Sequence, residues 1–201
     1  MGLIKQIGIS RSDGRVWALV ALSLTCGVAV NAQPLAIDTA KSVMTVHVYK
    51  AGLLSAFGHD HEISAPIARG NVDVQGRKVE LHADAGALRV QDPKVSDKDR
   101  DDIQTNMLGP DVLDAANHKE IRFQSTSATA AGAGAWKITG DLTLHGETRP
   151  VSMEVRGTDG HYAGTCRFKI TDFGIKPVKA AGGAVRVKDE VQIEFDIQLA
   201  R

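Results

Sequence analysis

The stretch WKITGDLTLHGETRPVSMEV, Trp136 to Val155, decides how the rest of the chain is read. On its first arm Ile138, Gly140, Leu142 and Leu144 alternate with Thr139, Asp141, Thr143 and His145. On the second, Val151, Met153 and Val155 alternate with Ser152 and Glu154. Successive strand side chains point to opposite faces, so each arm carries one apolar and one wettable face. The polar segment His145 to Pro150 lies between the arms, and its Gly146 and Pro150 suit a reversal of direction. The stretch therefore predicts an antiparallel hairpin with one side for water and the other for a core or a bound ligand.

The same alternation recurs outward from this hairpin. Ser42 to Lys50 reads as a strand rich in β-branched residues, and Asn71–Gln75 with Val79–Ala85 as a second hairpin across Gly76-Arg77. Glu120–Thr126, Ala163–Ile170 and Val191–Leu199 complete a set of eight strands. Residues 91–119 break the pattern. Ser96 with Asp99 has capping-box spacing, Ile103 and Met107 share a helical face, and Gly109-Pro110 is a stop signal. Asp111 is placed to cap a second short helix through Val112, Leu113 and Ala116. The charged run Asp97–Asp102 reads as the solvated side of the first helix. Gly52–Phe57 reads as a short apolar segment, Ala128–Ala135 as a loop of small residues, and Thr171–Lys188 as turn-rich. An all-β domain of eight antiparallel strands can form a sandwich or close into a barrel, whose interior is filled by side chains or holds one small ligand.

At the N-terminus Lys5, Arg11 and Arg15 precede an uncharged run, Val16–Val30, that ends at Val30-Asn31-Ala32 before Gln33. A positive region, a short apolar region and small residues at the cut describe a secretory signal peptide over residues 1–32, leaving residues 33–201 as one domain. The alternative is a membrane anchor, but the run is shorter than the roughly 20 residues needed to span a bilayer. The expectation is a periplasmic or secreted protein with no stable membrane insertion after processing. Removing 1–32 takes away three of 24 basic and one of 24 acidic residues, leaving a slight negative excess. That excludes the concentrated positive charge of a nucleic-acid binder. Cys166 is then the single cysteine, so no internal disulfide forms; its phase with Phe168 and Ile170 predicts a buried, inert thiol.

Arg100–Asp114 with His118–Ser125, Gly140–Gly146 through Val151, Phe173-Gly174-Ile175 and Asp189–Phe195 are short motifs that, in this order of segments, resemble the YceI-like family of secreted, lipocalin-like, polyisoprenoid-binding proteins. Gly140–Gly146 through Thr148-Arg149-Pro150-Val151 resembles the family's most recognisable hairpin. Arg100–Asp114 and His118–Ser125 resemble its helical insertion and following strand. Phe173-Gly174-Ile175 and Asp189–Phe195 resemble its closing segment. Lys119 stands where the family often has Pro, and Gly58-His59-Asp60-His61-Glu62 is more polar than the family's segment there. The resemblance implies an eight-stranded antiparallel lipocalin-like barrel with a short helical insertion, holding a long-chain apolar ligand: an isoprenoid, an isoprenoid quinone or a fatty-acyl compound.

The inward stripe of such a barrel would be Leu142, Leu144, Val151, Met153, Phe168, Ile170, Val191, Ile193, Phe195 and Ile197, as ligand wall or as close-packed core. Aromatic residues are only 4% of the chain, so medium-sized side chains line the interior. No serine elbow, phosphate-cradling glycine loop or activated cysteine is present, so no enzyme is expected. No cofactor is assigned beyond a bound isoprenoid or fatty-acyl lipid, and homo-oligomerisation is left open. The alternative reading is a metal- or redox-linked accessory protein. His59 and His61, two apart around Asp60, can grip a metal from one face of an extended segment, with Glu62, His47, His82 or His118 as third ligand.

Overall fold

The computed structural model describes residues 33–51, 60–180 and 185–200, and within them every strand pairing is antiparallel. The decisive hairpin consists of β8 (Ala135–Leu144) and β9 (Glu147–Thr158), with Ile138 opposite Met153 and Gly140 opposite Val151. Its reversal takes only His145 and Gly146, both at positive φ (53° and 78°), as a two-residue type I′ connection requires. The expected six-residue polar connection is thus mostly strand. Pro150 lies within β9 opposite Asp141.

The remaining strands are β1 (Leu35–Ala36), β2 (Val43–Ala51), β3 (His61–Ser64), β4 (Ile67–Asp73), β5 (Lys78–Asp84), β6 (Arg89–Val90), β7 (Glu120–Gly132), β10 (His161–Lys169), β11 (Lys179–Ala180) and β12 (Val185–Gln198). The main wall runs β4-β5-β7-β8-β9-β10-β12-β2-β3. β3 and β4 are halves of one run bent at Ala65-Pro66. The first half bonds to β2 and the second to β5, so the sheet curls back on itself. The N-terminal segment fastens the seam: Leu35 pairs with Val72 on β4, and Ile37 bridges to Leu199. With the bent run taken as one strand and the two-residue pieces β1, β6 and β11 set aside, the wall has the eight strands expected of a lipocalin-like barrel. Tight curling needs close approach of backbone and ring. Phe195 on β12 lies across Gly164 of β10, where a Cβ would sit 2.3 Å from the Glu154 carbonyl oxygen and 2.7 Å from the Phe195 ring.

One helix, α1 (Asp97–Leu108), crosses the barrel's end. Ser96 caps it by accepting from the Asp99 backbone N–H, and its charged first turns face water. Met107 is buried and Ile103 packs against the core. The second helix expected at Val112–Ala116 does not form. The chain folds back over the end of α1 instead: Leu113 N–H donates to the Met107 carbonyl, Ala115 N–H to Leu108, and Asp114 N–H to Gly109, with Asp114 at φ 42°. These bonds satisfy the helix's last carbonyls, so the backbone is committed to capping.

Ala128–Gly132, expected as loop, continues β7 and pairs with β8 as far as Gly132 opposite Ala135. Its side chains are too small and uniform to show alternation. β12 likewise starts earlier than the clean pattern, with a register shift between Val187 and Val191. The apolar segment Gly52–Phe57 and the signal segment lie outside the described residues.

Candidate functional site

The barrel's interior holds two apolar cavities. The smaller, of about 170 Å³, lies between the upper arms of the central hairpin and the β4–β5 hairpin, among Val79, Leu81, Trp136, Ile138 and Val155. The larger, of about 520 Å³, extends under α1, among Val46, Val48, Ile63, Leu88, Ile103 and Met107. Met44, Ile121, Leu142 and Ile193 line both and form the partition between them. A space of this size falls in the range of small-molecule sites, roughly 300–1,000 Å³.

All ten residues of the expected inward stripe border this space. Leu142, Val151, Met153, Ile193, Phe195 and Ile197 line the smaller cavity. Leu142, Leu144, Phe168, Ile170, Val191 and Ile193 line the larger. The walls are mixed in packing: Leu142, Leu144, Val151, Val191 and Ile197 are buried, whereas Met153, Phe168, Ile193 and Phe195 are only half-buried.

Polar groups gather at one end of the larger cavity. Lys50 lies next to the end of β2, Arg186 next to the start of β12 and opposite Ala51, and Lys176 precedes β11; all three border the cavity with His61. Sequence reasoning passed over these cations, because none breaks an alternating pattern and only the strand register brings them together. Asp92 was missed for the same reason. It is buried, its Oδ2 lies 2.5 Å from His61 Nδ1, and its Oδ1 accepts from the Glu62 backbone N–H at 2.8 Å.

Of the residues weighed as metal ligands, His59 lies outside the described residues and His61 is held by Asp92. His47 Nε2 sits 3.4 Å from Glu194 on the sheet. His82 is buried on the barrel's outer face, its Nδ1 2.7 Å from Glu120 and its Nε2 3.0 Å from Glu80. The hydrogen bond from His82, reinforced for Glu80 by the Arg122 charge and for Glu120 by a bond from Arg69, holds both carboxyls below their ordinary value. His118 sits apart from these, against the tip of the central hairpin with His145 and Asp114. Cys166 is buried on the wall of the smaller cavity, and loss of hydration pushes its thiol up to about 11, as suits an inert side chain.

A curled sheet around an apolar space is common to many barrels, and comparison with known proteins narrows it. The model of the YceI-like domain matches residues 35–199, nearly all of the described chain. The chain belongs to the YceI-like family. Its relatives include a UPF0312 protein of Vibrio parahaemolyticus, 26% identical and spanning 87% of this chain and 93% of that one. A UPF0312 protein of Shewanella denitrificans is 28% identical, over 79% of this chain and 85% of its own. Among solved structures, BcnA of Burkholderia cenocepacia superposes with a TM-score of 0.60 at 20% identity, covering 82% of this chain and 99% of its own. The Campylobacter jejuni YceI protein gives 0.50 at 12% identity, covering 69% and 81%. At such identities the structural likeness speaks for the fold. The YceI-like fold is therefore what this chain shares with them.

Proposed function

We propose that this YceI-like chain is an exported carrier that holds the tail of a long-chain apolar molecule, an isoprenoid, isoprenoid quinone or fatty-acyl compound, along the two cavities. The observation that carries the reading is the continuous apolar lining on both sides of the Met44–Ile121–Leu142–Ile193 partition, with Lys50, Lys176 and Arg186 at one end. A tail needs no polar partner. About ten buried methylenes contribute on the order of 8 kcal/mol before ordering costs. The three cations suit a head group that is anionic or rich in acceptors. The protein acts by binding, not by catalysis, and does so outside the cytoplasm as its leader segment directs.

The test is mass spectrometry of an organic extract from protein purified natively after export, with N-terminal sequencing of the same sample. A stoichiometric apolar compound and a terminus near Gln33 support the proposal. An extract free of such compounds, with no uptake of isoprenoid quinones or fatty acids offered in detergent-free buffer, contradicts it.

A further inference from the structure

A second binding feature lies outside the cavities, at the tip of the central hairpin. The type I′ turn His145-Gly146 lifts one imidazole above the end of β8. The loop that caps α1 brings Asp114 and His118 over the same spot, four residues apart. The ligand atoms of the three side chains all lie within 4.8 Å of one another, and His118 Nε2 is 3.8 Å from Asp114 Oδ2. The two imidazoles have centroids 4.8 Å apart and are tilted by 57°. All three groups are half-buried, sheltered from bulk water but reachable.

The surroundings orient each group. His145 Nδ1 lies 3.2 Å from the Phe173 carbonyl oxygen. A carbonyl can only accept, so Nδ1 carries the proton and Nε2 keeps its lone pair. This is the outer-shell arrangement usual for metal-binding histidines. Asn117 Nδ2 donates to both oxygens of Asp114 at 3.0 Å and fixes the carboxylate. His118 is seated by Gly146, where a Cβ would come within 2.7 Å of its ring. Only glycine serves there, for both its φ and its space.

From this we infer that Asp114, His118 and His145 bind a divalent transition-metal ion, with zinc as the best match. Two imidazoles and one carboxylate at bonds of about 2.0–2.2 Å place ligand atoms roughly 3.3 Å apart in a tetrahedron, with the fourth position left to water. Contraction by the order of 1 Å brings the present side chains to that spacing. The ion would join the capping loop, the hairpin tip and the turn at Ile170–Phe173. Leu113 and Leu144, next to Asp114 and His145 in the chain, line the larger cavity, as does Ile170 of the turn, so the ion would brace one of that cavity's walls. The inference does not depend on what the cavities hold.

Untagged protein is titrated with Zn²⁺ against a chromophoric chelator, and separately with Co²⁺ for its visible ligand-field bands. Wild type should bind one ion per chain. His145→Asn and Asp114→Asn should each weaken it by about 100-fold or more and abolish the cobalt bands. Both substitutions keep a residue that tolerates positive φ, and Asn-Gly is the preferred type I′ pair, so the fold survives the change. Equal melting temperatures in chelator verify this. His61→Ala should bind as wild type does. Wild type without stoichiometric binding, or affinity unchanged by the two Asn variants, would overturn the inference. So would loss of binding in His61→Ala.

Discussion

The two cavities are built from the same strands yet differ in what closes them. The smaller is walled mainly by sheet, with Val74 and Arg77 of the β4–β5 turn at its edge, and Phe195 of its wall lies against Gly164. The larger depends on pieces that are not strands: α1, its capping loop, and the turn ending at Phe173. Sheet-walled space is the stiffer, because most of its wall residues are held in strand ladders. Lid-walled space can open by loss of a few local contacts. On the proposed function, a tail would enter through the larger cavity, past its cationic end, and reach toward the smaller.

The strongest way to break this contrast is at the turn ending in Phe173. Phe173 has no exposed surface and stands edge-on to Phe168, with centroids 5.2 Å apart. Phe173→Ala should cost about 3–5 kcal/mol by urea denaturation. Met153→Ala, on the half-buried wall of the smaller cavity, should cost about 2 kcal/mol, the low end for such a change, because part of its surroundings is already empty. Comparable losses for the two would mean that the smaller space is packed core. Ser96→Ala removes the cap of α1 and should cost about 1 kcal/mol. Here the reading is release of an apolar fluorescent probe, expected to quicken for Ser96→Ala and to stay unchanged for Met153→Ala.

Acid tests the outer face of the same barrel. The Glu80 and Glu120 carboxyls sit below their ordinary 4.5 because His82, Arg122 and Arg69 favour the charged forms. The unfolded chain then binds more protons than the folded one, so this contribution is present above pH 4.5 and is lost as pH falls through the lowered values. Glu80→Gln/Glu120→Gln should flatten that part of the stability profile; an unchanged acid limb would remove the cluster from the account. The smallest effect concerns Cys166. With its thiol near 11, native protein at pH 8 should resist a maleimide that labels unfolded protein at once. Rapid native labelling would show that the smaller cavity opens readily.

The sheet was largely legible in the sequence, and the lid was legible only at its local signals. Leu142, Val151 and Ile193 announced their facing because strand period and core facing coincide. Ser96 and Gly109 marked the ends of α1 through capping chemistry that spans three or four residues. Ala128–Gly132 escaped because alanine and threonine on alternate faces differ too little to show a period; their strand is imposed by β8. The capping loop escaped because Asp111 offered a start for a helix, while the free carbonyls of α1 offered the backbone better partners. Sites formed by distant segments were the least legible. Asp92 meets His61 across 31 residues. Asp114 and His118 lie four residues apart, a spacing too common to single them out, and nothing in the sequence places His145 beside them until the hairpin is docked.

The central claim is that the interior is occupied space for a tail and not a solid core. Native mass spectrometry of exported wild type, Ala83→Phe and Val151→Trp tests it most directly, because Ala83 lines the larger cavity and Val151 the smaller. Wild type should carry one apolar compound per chain. Ala83→Phe should remain folded and lose it, and Val151→Trp should remain folded and retain only shorter-tailed compounds. Wild type free of any bound compound, with both enlarged variants unfolded, would contradict the claim and leave a barrel packed for stability alone.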